Sequence, residues 1–320
     1  MRATTIHGPR DIRVSEVPDP VISATTDAIV RVVAGCICGS DLWPYRGEND
    51  VTPGDTIGHE CVGADLLDHC DNTCPHCLAG AQSACTNLGF TVSGQAELAL
   101  VTQADGSLVK TDGAPDAALL PSLLTLSDVM PTGWHAAVSA RVREGGTAVV
   151  VGDGAVGLCG VLAASVMGAE TIVAMSRHEP RQELARRFGA THVVAERGKE
   201  GTAAVMEITG GVGADAVLEC VGTDDAMRSA FAIARPGSMV GFVGVPHGVE
   251  LPVRRMFQRN VGLAGGMAPT RRYVPELLEL VLSGRIEPGL VFDSTLPLDR
   301  VAEGYAAMDE RRAVKVLIEP

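Results

Sequence analysis

Two short motifs near the N-terminus combine residue types that bind transition metals. Cys38 opens the run Cys-Gly-Ser-Asp, and His59 stands at the centre of Gly-His-Glu. A thiolate and an imidazole are both zinc ligands, and a catalytic zinc uses three protein ligands with one position left for water or substrate. A histidine alone is more often a hydrogen-bonded core residue, but its combination with Cys38 indicates a metal site.

The chain contains nine cysteines, and their clustering indicates several roles. An odd number argues against a framework of disulfides. The N-terminal segment lacks the apolar core of a secretion signal, so we expect a cytoplasmic protein with reduced thiols. Cys159 and Cys220 lie in apolar segments and are interpreted as core residues. Four cysteines lie close together in the sequence, namely Cys70, Cys74, Cys77 and Cys85.

A glycine-rich turn predicts a nucleotide site in the middle of the chain. Residues 152–157, Gly-Asp-Gly-Ala-Val-Gly, fit the pattern GxGxxG. An apolar strand precedes the turn and an apolar helix follows it, which favours a cofactor site over an ordinary glycine turn. The glycines permit the tight turn, the approach to a pyrophosphate and close helix packing, and the helix N-terminus faces the phosphate charge. The predicted cofactor-binding residues are Gly152, Gly154, Ala155, Val156, Gly157 and, after a later strand, Val243.

The end of the second strand in this half of the chain sets the expected cofactor. Folds that prefer NAD place an acidic residue there to bind the ribose 2′-hydroxyl. Here the strand 171–175 continues into Ser176 and Arg177, and no carboxylate follows until Glu179. A hydroxyl and a guanidinium suit a 2′-phosphate, and Arg181 can assist from one helical turn further on. We predict a preference for NADP(H) over NAD(H); the alternative is that Arg177 is a solvated loop residue.

The elements that must position these residues follow two different patterns. Before about residue 121 the chain has short β-like runs, such as 28–33, separated by Gly and Pro. From residue 147 apolar strands alternate with helices, and repeated β-α-β units imply a doubly wound parallel sheet. The predicted strands are 147–151, 171–175, 192–194, 216–218, 239–243 and 314–318, and the predicted helices are 158–167, 181–188 and 274–282.

Composition and charge exclude several classes of function. The chain has 320 residues, of which 46% are hydrophobic, and a formal net charge of −13. This length suits two domains rather than one. An acidic surface repels phosphate backbones, so we expect no nucleic-acid partner. The apolar stretch 147–169 is interrupted by Asp153 and several glycines, so we expect no membrane span.

Four signals together resemble the zinc-containing medium-chain alcohol dehydrogenases. Cys-Gly-Ser-Asp, Gly-His-Glu-x-x-Gly, the cysteine cluster and GxGxxG occur in that family's order, and the resemblance covers nearly the whole chain. It implies an α/β fold with a shortened GroES-like β-barrel catalytic domain, residues 1–129 and 268–320, and a Rossmann domain that binds NADP, residues 130–267. It also implies a homodimer or a homotetramer, and the sequence does not choose between them.

The resemblance implies a catalytic zinc with three protein ligands. Cys38 and His59 match two of these ligands. Asp128 matches the third, at a position where other members of the family have Cys or Glu. The zinc would act as a Lewis acid and lower the pKa of a bound alcohol, which would then pass a hydride to the nicotinamide ring.

The resemblance also implies three residues that act beside the metal. Ser40 matches the hydroxyl of the proton relay, and Asp41 matches the carboxylate that orients the ligand imidazole. Glu60 matches a carboxylate that can approach the metal as water leaves. The family often has a relay histidine two residues after the Asp, where this chain has Trp43. We predict that Trp43 and Tyr45 shape the substrate pocket, with simple core packing as the alternative.

The cysteine cluster resembles the family's structural zinc lobe. Cys74, Cys77 and Cys85 have the spacing C-x2-C-x7-C. Asp71 stands where the family's fourth cysteine is usual, and we predict it as the fourth ligand, with Cys70 as its rival. Oxygen is less typical than sulfur in closed structural zinc sites. The alternative is that the lobe binds no metal.

The chain is shortened between Gly63 and Cys70, where relatives carry two barrel strands and a turn. Lost strands expose sheet edges, which a partner subunit could cover. The predicted function is a zinc-dependent oxidoreductase that exchanges a hydride between a small alcohol, aldehyde or ketone and NADP(H). One alternative is a formaldehyde-dehydrogenase-like NAD(P) enzyme, suggested by Asp128. The other is a non-catalytic NADPH-binding protein with a degraded catalytic domain.

Overall fold

The chain divides into two compact units. The computed structural model describes residues 1–65 and 69–320. One unit consists of residues 1–131 and 269–320, and the other of residues 132–268. The assignment of catalysis and of cofactor binding to separate domains stays a prediction. Residues 66–68 belong to the segment predicted to be shortened, and they lie outside the described residues. Within the described ranges, no helix has the length and apolar character that crossing a membrane requires.

Strands and helices are numbered here along the whole chain. The strands are β1 (Arg2–Gly8), β2 (Asp11–Glu16), β3 (Ala28–Arg31), β4 (Gly35–Cys36), β5 (Asp55–Thr56), β6 (Glu60–Cys61), β7 (Ala64–Asp65), β8 (Leu98–Val101), β9 (Thr147–Val151), β10 (Thr171–Met175), β11 (His192–Val194), β12 (Ala214–Glu219), β13 (Ala234–Phe242), β14 (Gly262–Gly265), β15 (Phe292–Pro297) and β16 (Lys315–Glu319). The helices are α1 (Leu42–Arg46), α2 (Pro75–Leu78), α3 (Ala104–Ser107), α4 (Leu120–Thr125), α5 (Val129–Ser139), α6 (Ala155–Val166), α7 (Glu179–Arg187), α8 (Gly198–Ile208), α9 (Asp224–Ile233), α10 (Val253–Arg259), α11 (Thr270–Leu282) and α12 (Val301–Asp309).

A six-stranded parallel sheet forms the centre of the unit 132–268, all of which the structure describes. Its strand order is β11-β10-β9-β12-β13-β14. Each neighbouring pair is parallel. Counted along the chain this is the order 3-2-1-4-5-6 of a Rossmann sheet, so the predicted doubly wound fold is confirmed. Such sheets bind ligands at the carboxyl ends of the strands, where the strand order reverses. Here the order reverses between β9 and β12.

The core of this unit explains why its strands are continuous apolar runs. Val149, Val173 and Val217 lie on neighbouring strands and are fully buried. Helix α9 adds Met227 and Phe231 to the same core cluster. Central strands of a parallel sheet are covered on both faces, so they do not alternate between apolar and polar residues. Each buried side chain of this size stabilises the fold by about 1.5–3 kcal/mol.

The unit formed by 1–131 and 269–320 contains three sheets among its described residues. Their strand orders are β2-β1-β5, β15-β16-β4-β6-β7 and β3-β8. In the second sheet Cys36 of β4 pairs with Glu60 of β6 on one side and with Leu317 of β16 on the other. The sheet therefore joins the N-terminal motifs to the C-terminal strand. Within the described part of this unit, the strands form three separate sheets rather than one closed barrel.

The predicted elements agree with the structure best in the parallel sheet. Three predicted strands, 147–151, 171–175 and 192–194, coincide with β9, β10 and β11. Helix α6 begins before its predicted start, because Gly154 already serves as the N-cap. Helix α11 begins at Thr270 and includes Pro275, whereas the predicted helix began at residue 274.

Candidate metal and cofactor sites

Four side chains bring metal-binding atoms together in the unit formed by residues 1–131 and 269–320. One ligand atom each of Cys38, His59, Glu60 and Asp128 lies within 4.8 Å of all the others. The Cys38 Sγ is 3.5 Å from Asp128 Oδ2, and His59 Nε2 is 3.4 Å from the same oxygen. Ligand atoms at about 2.0–2.3 Å from a tetrahedral zinc are about 3.3–3.8 Å apart. The spacing of Cys38, His59 and Asp128 therefore fits three zinc ligands.

Strand pairing explains how separate segments supply these ligands. Strands β4 and β6 are antiparallel neighbours, which brings Cys38, just after β4, to His59, just before β6. Gly58 has a φ of +95°, and a side chain at this position would collide with Gln95. Glycine adopts this left-handed conformation without a steric penalty. Asp128 comes from the segment between α4 and α5.

A chain of hydrogen bonds orients the His59 ring. His59 Nδ1 lies 3.5 Å from Asp41 Oδ1. The other oxygen of Asp41 accepts hydrogen bonds from the Cys38 backbone N–H (2.9 Å) and from Gln95 Nε2 (3.2 Å). Gln95 Oε1 in turn accepts a hydrogen bond from the Tyr305 hydroxyl at 3.1 Å. Partners of this kind fix the tautomer of a ligand imidazole and direct its other nitrogen toward the metal.

Glu60 is held by a lysine from the far end of the sequence. The Lys315 ammonium lies 2.7 Å from Glu60 Oε1 and donates a second bond to the carbonyl of Ile37 at 3.2 Å. The Cys36 thiol donates to Glu60 Oε2 at 3.2 Å. Burial lowers the pKa of Lys315, but Cys36 and Glu60 raise it well above its usual value. The ammonium therefore stays charged and balances the buried carboxylate.

The charge distribution of the cluster suits a divalent cation. Burial, together with Glu60 and Asp128, raises the pKa of the Cys38 thiol to about 11. Burial lowers the pKa of His59, but Cys38, Asp128 and Asp41 outweigh it and raise that pKa well above its ordinary value. A metal ion reverses this for the thiol, because a coordinating thiol is deprotonated outright. The sulfur, nitrogen and oxygen donors together fit zinc.

The predicted proton-relay and pocket residues lie in or next to helix α1. Ser40 is half-buried just before the helix, and its hydroxyl has no polar partner among the residues that the structure describes. Trp43 is half-buried on the helix itself. Tyr45 is 6% exposed and packs against Tyr305, with ring centroids 5.4 Å apart. The prediction that Tyr45 lines a substrate pocket is wrong, because this residue belongs to the hydrophobic core.

A second cluster forms in the cysteine lobe. Its ligand atoms, all within 4.8 Å of one another, belong to Asp71, Cys74, Cys77 and Cys85. The Cys74 Sγ lies 3.5 Å from Cys77 Sγ and 3.9 Å from Cys85 Sγ. The Cys70 thiol instead donates to the carbonyl of Gly106 at 3.8 Å. Of the two rivals for the fourth ligand position, the geometry favours Asp71 over Cys70.

Hydrogen bonds prepare the second cluster for a cation. Asp71 accepts bonds from the backbone N–H of Thr73 (2.9 Å) and of Cys74 (3.0 Å), and from the Asn87 side chain (2.7 Å). These bonds hold the pKa of Asp71 far below its usual range. The backbone N–H of Cys77 lowers the pKa of Cys74 to about 6. A carboxylate and a readily ionised thiol are both suitable donors for zinc.

The glycine-rich turn has the geometry that its sequence predicts. Gly152 follows β9 with a φ of +119°, which only glycine adopts readily. A side chain at Gly157 would collide with the carbonyl of Gly152, so close packing of α6 requires glycine here. A Cβ at Gly154 would meet nothing within 4 Å. The backbone at Gly154 is therefore open to a ligand at the start of α6.

The end of β10 differs from the expectation in one respect. Ser176 is buried, and its hydroxyl donates to Asp153 Oδ2 at 2.9 Å. The Arg181 guanidinium contacts Asp153 Oδ1 at 3.4 Å and the Asp153 carbonyl at 3.3 Å. The Asp153 carboxylate, which belongs to the glycine turn, therefore lies at the end of β10, although the sequence directly after β10 has no acidic residue at this point. Arg177 is exposed, and no polar group within the described ranges pairs with its guanidinium.

A buried glutamate supports the loop opposite the glycine turn. Glu219 is fully buried, and its Oε1 accepts bonds from the backbone N–H groups of Val221 (2.9 Å) and Gly222 (2.8 Å). Burial raises the pKa of Glu219. The Val243 backbone N–H, just after β13, donates to the Glu219 carbonyl at 2.9 Å. This loop touches the turn, because a Cβ at Gly152 would lie 2.8 Å from Val221 Cγ2.

Comparison with known proteins decides the family. A family model described as "Zinc-binding dehydrogenase" matches residues 155–283. A probable zinc-binding alcohol dehydrogenase of Mycobacterium tuberculosis is 35% identical, over 97% of this chain and 86% of that protein. This chain is a zinc-dependent medium-chain dehydrogenase/reductase. A zinc-type alcohol dehydrogenase of Aspergillus flavus is 30% identical, over 100% of this dehydrogenase and 81% of the relative.

A solved structure has the same fold as this dehydrogenase. An alcohol dehydrogenase from Thermus sp. ATN1 matches with a TM-score of 0.90 and 29% identity, covering 100% of this chain and 99% of that one. The dehydrogenase is therefore an oxidoreductase of small molecules, and its family implies zinc and a nicotinamide cofactor. The alignment to the Mycobacterium relative spans 338 positions, which exceeds the 320 residues of this chain. That relative carries residues that this dehydrogenase lacks.

Sequence reasoning missed the supporting residues of this dehydrogenase. Gln95 and Tyr305 complete the hydrogen-bond chain to His59, and Lys315 pairs with Glu60. Asp153 was visible only as a variable position of GxGxxG, and Glu219 only as the last residue of an apolar run. The sequence offered one signal for Asp153 and Glu219: each is an acidic residue within an apolar or glycine-rich segment. A charge buried in such a segment requires a partner.

Proposed function

We propose that this dehydrogenase exchanges a hydride between an alcohol and the corresponding aldehyde or ketone, with NADP(H) as the preferred cofactor. One observation carries the proposal: Cys38, His59 and Asp128 have the mutual spacing of three ligands around one tetrahedral zinc. Both oxygens of Glu60, the fourth residue of the group, are bound by Lys315 and Cys36. The three remaining protein ligands leave a fourth position for substrate, which distinguishes a catalytic site from a closed structural site. We assign the catalytic role to residues 1–129 with 268–320 and the cofactor role to 130–267.

Each residue of the cluster has a specific part in this proposal. Zinc, when bound, supplies a Lewis acid that lowers the pKa of an alcohol hydroxyl. Asp41 holds the His59 ring so that Nε2 points to Asp128 and the metal position. Ser40 relays the alcohol proton: its hydroxyl accepts that proton and passes its own proton on to solvent, which the half-buried side chain reaches. Glu60 pairs with the Lys315 ammonium at 2.7 Å and lies next to the proposed ligands.

The second cluster has a structural role in this proposal. Asp71, Cys74, Cys77 and Cys85 offer four protein donors within one group. A fully occupied protein ligand set leaves no position for substrate, so a zinc ion there would stabilise the lobe rather than act in the reaction. Among the pairs of sulfur atoms, the 3.5 Å and 3.9 Å separations are near the edge length of a zinc tetrahedron.

The cofactor preference rests on Arg177. Its guanidinium is exposed next to the glycine turn and is unpaired within the described residues. Arginine binds phosphate through two parallel hydrogen bonds, which suits a 2′-phosphate. The Arg181 charge is already balanced by Asp153. Arg177 is therefore the member of the predicted set with a free charge for the phosphate.

An activity assay tests the proposal as a whole. Purified protein is offered primary, secondary and polyol alcohols with NADP⁺ or NAD⁺, before and after treatment with a zinc chelator. We expect reduction of NADP⁺ that stops after chelation and returns with added zinc. Tight NADPH binding without turnover on any alcohol would instead support the non-catalytic alternative.

Asp128 supports a second candidate within the same chemistry. An aspartate as the third ligand is the feature by which the chain resembles formaldehyde-dehydrogenase-like members of the family. The same assay includes formaldehyde with NAD⁺ and with NADP⁺. Turnover confined to formaldehyde would favour this candidate over a general alcohol dehydrogenase.

A substitution of Arg177 tests the cofactor preference. Arg177→Gln removes the free guanidinium, and we expect the Kd for NADP⁺ to rise about tenfold while the Kd for NAD⁺ changes little, since a charged hydrogen bond is lost from the phosphate alone. Ser176→Asp would be a poor test, because it places a second carboxylate beside the buried Asp153. The measurement is fluorescence titration of both cofactors. Equal Kd changes for both cofactors would contradict the assignment.

We also propose that the dehydrogenase works as a cytoplasmic homodimer or homotetramer. A second subunit would cover sheet edges that the shortened unit leaves open. Analytical ultracentrifugation of the purified protein measures the state directly. A monomer with full activity would exclude an assembly as a requirement for function.

A further inference from the structure

A large cavity opens within the unit 132–268 on the side of the glycine turn. Its volume is about 820 Å³. The wall includes Gly152 after β9, Arg177 after β10 and Val221 after β12. A fourth part of the wall, residues 195–199, comes from the loop after β11 and the first residues of α8. The carboxyl ends of four adjacent strands therefore share one cavity, as in sheets that bind dinucleotides.

The cavity concentrates positive charge on an acidic protein. Among the described residues of its lining, two are acidic, Glu196 and Asp225, and four are basic. The basic residues are Arg177, Arg197, Lys199 and Arg228. The chain as a whole has a formal net charge of −13. Positive charge gathered in a cavity attracts anions more strongly than the same charge spread over a surface.

Two of these basic side chains have no polar partner among the described residues. Arg228 lies 2.5 Å from Asp224, on its own helix, so its charge is already balanced. Arg197 also has an interaction partner of its own. Lys199 and Arg177 are both exposed, and within the ranges 1–65 and 69–320 neither side chain has a polar partner. Ser176 and Arg181, the other residues predicted for a 2′-phosphate, are bound to Asp153. The available cations for an anion in this cavity are therefore Arg177 and Lys199.

We propose that Lys199 is the second cation of the 2′-phosphate subsite, together with Arg177. This inference rests on the proposed preference for NADP(H) and adds a specificity-determining residue from the first turn of α8. A 2′-phosphate carries nearly two negative charges near neutral pH, so one guanidinium leaves part of that charge unbalanced. Lysine provides a mobile point charge that can complement the fixed fork of arginine.

Binding of two nucleotides tests the assignment without zinc or substrate. The probes are 2′,5′-ADP, which carries the 2′-phosphate, and 5′-AMP, which lacks it, measured by calorimetry on the whole protein. We expect Lys199→Gln to weaken 2′,5′-ADP about tenfold and to leave 5′-AMP within about twofold. Lys110→Gln is the matched control, because Lys110 is also exposed but lies in the other unit. An unchanged Kd for 2′,5′-ADP, or an equal loss for both nucleotides, would overturn the role of Lys199.

The result with wild-type protein distinguishes a failure of the proposed NADP preference from a failure of the proposed role of Lys199. If wild-type protein binds 2′,5′-ADP no better than 5′-AMP, the proposed NADP preference itself fails. If wild-type protein prefers 2′,5′-ADP and Lys199→Gln retains that preference, only the role of Lys199 fails. Retention of the wild-type melting temperature in Lys199→Gln ensures that a loss of binding does not come from unfolding.

Chemical labelling provides a second readout that needs no variant. The chain has three lysines, Lys110, Lys199 and Lys315, and the last is fully buried. Acetylation monitored by peptide mass spectrometry therefore compares two exposed lysines in one sample. We expect 2′,5′-ADP to protect Lys199 and 5′-AMP to leave it reactive, with Lys110 labelled in both. Equal labelling of Lys199 with and without 2′,5′-ADP would overturn the proposal.

Discussion

At the scale of single residues, Glu60 and Lys315 form an ion pair that no solvent reaches. Their side chains are 0% and 1% exposed, and Cys36 and the carbonyl of Ile37 complete the hydrogen bonding. A buried pair of this kind contributes little net stability relative to an apolar pair, but loss of one partner leaves an unbalanced charge. The pair therefore specifies the position of Glu60 beside the metal ligands.

Removal of Lys315 should destabilise the protein strongly. Lys315→Met leaves the Glu60 carboxylate buried without its cation, and we expect a loss of about 3–5 kcal/mol in the free energy of unfolding. The double variant Lys315→Met with Glu60→Gln removes both charges and should recover much of that loss. Urea denaturation measures both. Additive losses in the double variant would show that the two residues do not act as a pair.

The buried ring of His69 leads to a pH prediction. Burial lowers the pKa of His69 to about 4, below the ordinary 6.5. The unfolded chain therefore binds a proton that the folded chain does not, and this stabilising contribution is full above about pH 6.5 and is lost as the pH falls toward about 4. NMR titration, with His69→Gln to assign the ring signals, should show no titration of His69 between pH 8 and 5.5. A midpoint near 6.5 would contradict its neutral, buried state.

The residues of the candidate metal cluster could be named from the sequence, whereas the residues that support them could not. Cys38, His59 and Asp128 lie in short motifs whose residue types and order carry the chemistry. Tyr305 reaches Asp41 only through Gln95, and these three residues are far apart in the sequence. Such contacts depend on the tertiary fold, which a single sequence read locally does not contain.

At the scale of elements, the regular strands were predictable and the shortest ones were not. Strands β9 and β10 are almost entirely apolar and buried in the sheet, which is why the sequence predicts them. Strands β4 and β6 are two residues long, too short to show any alternation. The Asp153 contact with Ser176 also depends on the register between β9 and β10. Val151 and Met175 end β9 and β10 in register, so the residues just after them become neighbours.

Two glycine substitutions separate packing from ligand approach in the turn before α6. Gly157→Ala places a methyl group against the Gly152 carbonyl, and we expect destabilisation of about 1–3 kcal/mol with loss of cofactor binding. Gly154→Ala has free space for its methyl group, so the fold should keep its stability while NADPH binding weakens. Thermal denaturation and NADPH fluorescence titration measure the two effects. Equal stability of both variants would contradict the packing role of Gly157.

At the scale of the whole molecule, the chain combines a unit with a complete Rossmann sheet and a unit that carries both candidate ligand clusters. The parallel sheet has all six strands in Rossmann order. The other unit has three sheets among its described residues and still assembles both ligand clusters. The metal ligands lie at strand ends and loops that β4, β6 and β16 hold in place. The described strands of this unit are therefore sufficient to bring together the candidate ligands Cys38, His59 and Asp128.

The most direct test of the zinc assignment counts zinc and turnover in the same samples. Wild-type protein should contain two zinc ions per chain by elemental analysis and should reduce a nicotinamide cofactor with an alcohol. Cys38→Ala should contain one zinc ion and lose turnover while still binding NADPH, because the remaining ion occupies the cysteine lobe. Cys159→Ser is the matched control, as a buried cysteine outside both clusters. Wild-type zinc content or wild-type turnover in Cys38→Ala would contradict a catalytic zinc at Cys38, His59 and Asp128.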